Sequence, residues 1–145
     1  MNSVDVLQVN KLYYPHIGGI ERHLYLLCSE LARDSNFDVT ALVCNTRFRT
    51  EVENTSGIRL IRVASPGSFL GMPYAPSMPV WLRRLKADIV HFHHPFPPGE
   101  ISFLMTKPEA KTVVSWHSDI VKQKLGARVY KPLLLRFLNE VDRIL

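Results

Sequence analysis

The chain has 145 residues, 46% hydrophobic and 21% charged, which suits one buried core and no disordered tract. No run approaches the roughly 18 consecutive apolar residues of a membrane span, and "MNSVDVLQVNK" lacks the basic region and apolar stretch of a secretory leader. The expectation is a cytoplasmic protein, and the lone thiols Cys28 and Cys44, which form no CxxC, fit buried residues of a reducing compartment.

The net charge is +5, and Lys122, Lys124, Arg128, Lys131 and Arg136 form an acid-free basic run near the C-terminus. Such a surplus suits an anionic partner. No nucleic-acid reader motif is present and the run interleaves with Leu and Val, not with stacking aromatics, so nucleic acid is set aside. Lys124, Arg128 and Lys131 fall at i, i+4 and i+7, a helical face suited to anionic lipid or simply to solvent.

In chain order, "VDVLQVN" (4–10) is uniformly apolar enough for a buried parallel strand. Ile20, Leu24, Leu27 and Leu31 then repeat at helical spacing over 20–33. "DVTALVC" (38–44) and "IRLIRVA" (58–64) read as strands separated by a polar loop, the second placed nearer the sheet edge by Arg59 and Arg62. Residues 65–79 are dense in Pro and Gly and predict a mobile loop leading into a short helix over 80–87. Its apolar residues Phe69, Leu70, Met72 and Tyr74 suit a packed loop or a membrane-touching tip.

Strand "DIVHFH" (88–93), helix 99–107 and strand "TVVSWH" (112–117) follow, then a basic helical region from about 121 to 140 that Pro132 should kink or restart. "NEVDRIL" closes that helix and opens another strand. Strands alternating with helices predict an α/β fold, a Rossmann-like, doubly wound parallel sheet with right-handed crossovers.

Ligands of such sheets gather outside the carboxyl ends of the strands. Three unusual stretches fall there: "YYPHIGGIE", "HFHHPFPPGE" and "WHSDIVK". Gly18 and Gly19 open a helix, where backbone N–H groups and the helix dipole favour an anion; they also suit an ordinary tight turn. Neither GxGxxG nor GxxxxGK[ST] is present, which disfavours a dinucleotide or P-loop site.

His91 and His93 share a strand face, His94 opens the next loop, and His117 ends the following strand. Imidazoles at i and i+2 are able to chelate, yet no HExxH or Cys–His spacing accompanies them, and hydrogen-bonded imidazoles are the simpler reading. His117, flanked by Ser115, Ser118 and Asp119, sits where it would meet a hydroxyl or move a proton. "SWHSD" contains the residue types of a hydrolase triad, but a triad is assembled in space and no GxSxG elbow exists.

Taken together, "YYPHIGGIERHLYLLCSELA", "ADIVHFHHPFP" and "VVSWHSD" resemble, in order and separation, the N-terminal domain of retaining glycosyltransferases of the GT-B fold, family 4. The resemblance implies that residues 1–145 are the acceptor-side half of a two-domain enzyme whose second Rossmann-like domain binds a nucleotide-sugar donor. It implies sugar transfer to a glycan, lipid-linked or small-molecule acceptor, with retention and with no divalent metal. It places His117 on the transferred sugar near the reacting centre and Gly18 and Gly19 near the donor phosphates and the acceptor. Glu21, His93, His94 and Lys122 become candidates for the acceptor side. The family's donor-phosphate Arg/Lys pair and paired-glutamate motif belong to the second domain, so this half alone is expected to be silent. Alternatives on related folds are a nucleotide-sugar epimerase, a phosphorylase-like enzyme and a stand-alone flavodoxin-like or receiver-like binding domain. The acids a receiver needs after its first strand are missing from "NKLYYP".

Overall fold

The computed structural model describes residues 2–118 and 124–145. Its spine is a seven-stranded sheet in the order β3-β4-β2-β1-β7-β8-β9. Strands β1 (Val4–Val9), β2 (Phe37–Cys44), β4 (Ile58–Val63), β7 (Ile89–His94), β8 (Lys111–Trp116) and β9 (Arg143–Ile144) are mutually parallel. Helices α1 (Gly19–Arg33), α2 (Met78–Arg84), α3 (Pro97–Thr106) and α4 (Lys124–Glu140) connect them.

The two sheet faces are built differently. Leu7, Val9, Val90 and Phe92, in register as Leu7↔Val90 and Val9↔Phe92, share one core with Phe103 of α3 and Phe137 of α4. Three rings, Phe92, Phe103 and Phe137, meet edge-on there with centroids 5.3 to 5.7 Å apart, a geometry that aromatic quadrupoles favour. On the opposite face α1 lays Leu24 and Cys28 over Val39, Ala41, Ile58 and Leu60. Alternation along the central strands turns Gln8 and His91, paired in register, onto this second face. That half of the face is therefore polar while its reverse is packed with Leu, Val and Phe.

Two segments depart from the sequence expectation. The polar loop after β2 contains a strand, β3 (Glu51–Thr55), which pairs antiparallel with β4 through the two-residue turn Ser56–Gly57. Both turn residues have positive φ, 51° and 78°, the twist that suits a tight hairpin. β3 eluded the pattern because it is an edge strand: its side chains are mostly exposed, and charged Glu51 and Glu53 blunt the edge. Arg62 of β4 pairs across to Glu53 and also donates to the Tyr14 carbonyl at 2.8 Å.

The stretch expected as an open loop over 65–79 folds into a small antiparallel hairpin, β5 (Gly67–Phe69) with β6 (Met72–Tyr74), and α2 already begins at Met78. A Gly at φ 76°, Gly71, makes its turn. Pro132 lies inside α4, which runs as one element from Lys124 to Glu140, so it does not start a second helix. β4 lies one strand in from the edge, as its arginines suggest, and both cysteines are buried and unbridged.

Strand order fixes where a ligand can sit. From β1 the chain winds outward through β2 and β4, then returns to the other side of β1 to lay down β7 and β8. Loops after β1 and β7 therefore leave in opposite directions and open a crevice between their carboxyl ends.

Candidate functional site

Gly18 is the N-cap of α1, at the end of the β1 loop; among the described residues no side chain caps the helix, and its first backbone bond runs from the Arg22 N–H to the Gly18 carbonyl. The N–H groups of the first turn thus lack intrahelical acceptors and carry the positive end of the helix dipole. A Cβ at Gly18 would lie 2.0 Å from the Glu21 Oε2, whereas one at Gly19 meets no described atom within 4 Å. A side chain at Gly18 would have to displace the buried Glu21 carboxylate, which folds back against it. Lys11 Nζ stands 4.0 Å from that carboxylate.

Across the crevice the imidazoles form a chain. The amide oxygen of Gln8 faces His93 Nε2 at 2.8 Å, and His93 Nδ1 lies 2.9 Å from His117 Nε2. A carbonyl oxygen only accepts, so His93 carries its proton on Nε2 and offers a lone pair at Nδ1. His117 must then donate through Nε2–H, which leaves its Nδ1 as an acceptor. Gln8 and His93 are both buried, His117 is half-buried, and the His93 and His117 rings stack with centroids 5.2 Å apart. His91 shares a 2.7 Å hydrogen bond with Ser115, its ring 4.4 Å from that of His93.

α1 adds a member that the sequence pattern did not single out. His23, one turn beyond Gly19, brings its ring to 5.0 Å from that of His117 and 5.9 Å from that of His93. One nitrogen from each of His23, His93 and His117 lies within 4.8 Å of the other two. The available signal was the i, i+4 step from Gly19 to His23, which puts both on one side of the helix.

Burial, reinforced by the neighbouring imidazoles, pushes the His91 pKa down to about 4 and that of His93 to about 2. His117 is lowered too, by burial first and then by His23 and His94, with Glu21 opposing. His91, His93 and His117 are consequently neutral at pH 7 and work through hydrogen bonding, while the α1 dipole favours negative charge at its N-terminus.

His94 is placed apart from this chain. It is fully buried, donates from Nδ1 to Glu100 Oε1 at 2.6 Å and stacks on Trp116 with centroids 4.0 Å apart. The same carboxylate oxygen accepts the Phe96 N–H at 3.2 Å, so the His94–Glu100 pair pins the β7–α3 turn. Lys122 and Asp119 lie outside the described residues. A shallow depression of about 400 Å³ beside Asp88 and Lys111 is at the opposite, amino-terminal ends of β7 and β8 and contains none of these groups.

The described residues thus place a glycine-opened helix and an imidazole chain at the switch point of a Rossmann-like sheet. The chain belongs to Glycosyltransferase Family 4, whose sequence profile matches residues 17–145. It is 34% identical over 142 residues to the O-antigen chain mannosyltransferase C of Escherichia coli, covering 96% of this chain and 38% of that protein. Over 142 residues it is 30% identical to the D-rhamnosyltransferase WbpZ of Pseudomonas aeruginosa, covering 96% of this chain and 37% of the relative. The chain thus spans well under half the length of the curated relatives it matches. In fold it is similar to sucrose-phosphate synthase from Thermosynechococcus elongatus, with a TM-score of 0.71 at 13% identity over 97% of this chain and 41% of that one.

Proposed function

We propose that this chain is the acceptor-side domain of a retaining glycosyltransferase that moves a sugar from a nucleotide-sugar donor to a glycan or lipid-linked acceptor. The observation that carries this reading is the hydrogen-bond chain Gln8–His93–His117 facing the glycine-opened N-terminus of α1 across the β1/β7 crevice. As the glycosidic bond to the nucleotide breaks, negative charge grows on the leaving phosphate. The N–H groups above Gly18 and Gly19 are already oriented toward such charge, so they stabilise it without reorganising.

His117 holds its free Nδ1 for a sugar hydroxyl, and Gln8 and His93 fix that tautomer. Glu21 and His93 line the acceptor side, with His94 supporting it from beneath. A second domain completes the cleft with the donor nucleotide site. The reaction proceeds without a divalent metal, because the helix terminus and that domain's cations neutralise the phosphate.

The protein works in the cytoplasm and touches anionic membrane peripherally. Exposed Phe69 and Leu70 at the β5–β6 turn and exposed Arg128 and Lys131 on α4 support that contact. Among the described residues no helix is long and apolar enough to cross a membrane. Names of the relatives point to polysaccharide assembly as the setting.

The test is a transfer assay on the full-length protein with a panel of nucleotide sugars and lipid-linked glycan acceptors, the product anomer read by NMR. Turnover in EDTA with retention is the expected result; absence of both turnover and donor binding across the panel sinks the reading. Unchanged turnover in His117→Ala would remove His117 from its role. Sedimentation with anionic vesicles should exceed that with neutral ones, and equal sedimentation discards the membrane contact.

A further inference from the structure

We propose that His23, His93 and His117 form a three-imidazole site for a divalent transition-metal ion, and that an ion bound there switches the transferase off. The first observation is spatial: three ligand nitrogens, from α1, β7 and the residue after β8, lie within 4.8 Å of one another. Tetrahedral zinc with bonds of about 2.0–2.1 Å needs ligand nitrogens roughly 3.3–3.4 Å apart. His93 Nδ1 and His117 Nε2 stand 2.9 Å apart and need open by only about half an ångström. His23 is exposed, so a change of rotamer brings its nitrogen in, and its side of the site is open to solvent for entry.

The second observation is the outer partner. A metal-bound imidazole commonly donates its other N–H to a carbonyl or carboxylate, which fixes the tautomer and turns the bare nitrogen to the ion. Gln8 does this for His93: its amide oxygen, at 2.8 Å, holds the proton on Nε2 and leaves Nδ1 bare toward His117. His91, equally close in sequence, lacks that disposition, because its Nε2 is engaged with Ser115.

An all-imidazole set selects Zn²⁺, Co²⁺, Ni²⁺ or Cu²⁺ over Mg²⁺ and Ca²⁺, which take oxygen ligands. Three ligands leave a fourth position for water. On binding, His117 moves its proton from Nε2 to Nδ1 and gives the Nε2 lone pair to the ion. Its outward nitrogen changes from acceptor to donor, and the ion occupies the space beside it. The inhibitory consequence rests on the transferase reading above; the binding does not.

The experiment titrates tag-free, full-length protein with Co²⁺ and follows the visible absorption of the tetrahedral ion, then displaces it with Zn²⁺. One equivalent should bind, with an intensity typical of four-coordination. His23→Ala, an exposed change that leaves the core intact, should lower affinity at least 100-fold, while His16→Ala on the neighbouring loop should not alter it. No band, or a band unchanged in His23→Ala, overturns the site. Zn²⁺ should inhibit transfer reversibly to EDTA in the wild type and not in His23→Ala; binding without inhibition overturns the switch. The cobalt titration needs no substrate, so it reports on the metal site even if the protein transfers no sugar.

Discussion

Acidification from about pH 6.5 to 5 should markedly destabilise this domain, because two buried imidazoles refuse protons in the native state. In the unfolded chain His91 and His93 take up protons near pH 6.5, whereas in the fold burial lowers them to about 4 and about 2. A depressed histidine binds fewer protons folded than unfolded, so its stabilisation is complete above 6.5 and is lost as the pH falls. Between 6.5 and 5 the loss is about 1.4 kcal/mol per pH unit for each ring, or about 2 kcal/mol apiece and ~4 kcal/mol for the pair. That is a large share of the roughly 5–15 kcal/mol that holds a domain together.

The carboxyls with lowered values, Glu140 through its Arg136 bond and Asp142 through the Thr112 N–H, titrate below this window. Urea unfolding in EDTA, followed by tryptophan fluorescence at pH 7.5 and pH 5.0, reads the effect. With a slope near 2 kcal/mol per molar the midpoint should drop by about 2 M. His91→Gln, which keeps a hydrogen-bonding group near Ser115 but cannot titrate, should show about half the drop. Equal midpoints at the two pH values would refute the reasoning, as would an undiminished drop in the variant.

Substituting Gly18 by Ala puts a methyl 2.0 Å from the Glu21 carboxylate, so Glu21 must move and donor affinity should fall about 10-fold or more; unchanged KM for the nucleotide sugar would contradict it. Gly19→Ala meets no described neighbour and should hold or slightly raise thermal stability while raising that KM, which separates phosphate approach from folding. Gly99→Ala drives a methyl into the buried Phe96 ring and should cost about 1–3 kcal/mol in denaturant unfolding. Glu100→Leu strands the buried His94 donor and the Phe96 N–H and should cost ~3–5 kcal/mol; a stability change under 1 kcal/mol would show that the pair is dispensable.

What the sequence disclosed follows from where each signal is written. β1, β2, β7 and β8 announce themselves as short runs rich in β-branched residues, even where Gln8, His91 and His93 interrupt the apolar pattern. α1 shows its buried stripe through Leu24 and Leu31. β3 is hidden because an edge strand is held by charge and by the Ser56–Gly57 turn, not by burial. Gly and Pro mask the β5–β6 hairpin in the same way. For the candidate site, the rule that ligands lie beyond strand ends is what singled out the three loops. The partnerships within them are tertiary: Gln8 and His93 are 85 positions apart, and His23 joins only because α1 crosses back over the sheet. His94 and His93 are adjacent in sequence, yet alternation sends one to Glu100 and the other to Gln8.

That alternation also explains why polar residues are retained at the centre of the sheet, where apolar ones would fold more stably. Gln8, His91 and His93 share the face from which His117 projects, and each has a hydrogen-bond partner. Replacing His93 by Leu would relieve the acid penalty but remove the acceptor that holds His117 Nε2–H in one direction. His117 would then sample both tautomers, and its outward nitrogen would present a lone pair only part of the time. Stability below pH 6.5 and a single tautomer at the crevice therefore oppose each other through one buried ring. Such a conflict between packing and polarity is expected where a fold positions chemistry, and it falls at the crevice that strand order alone selects.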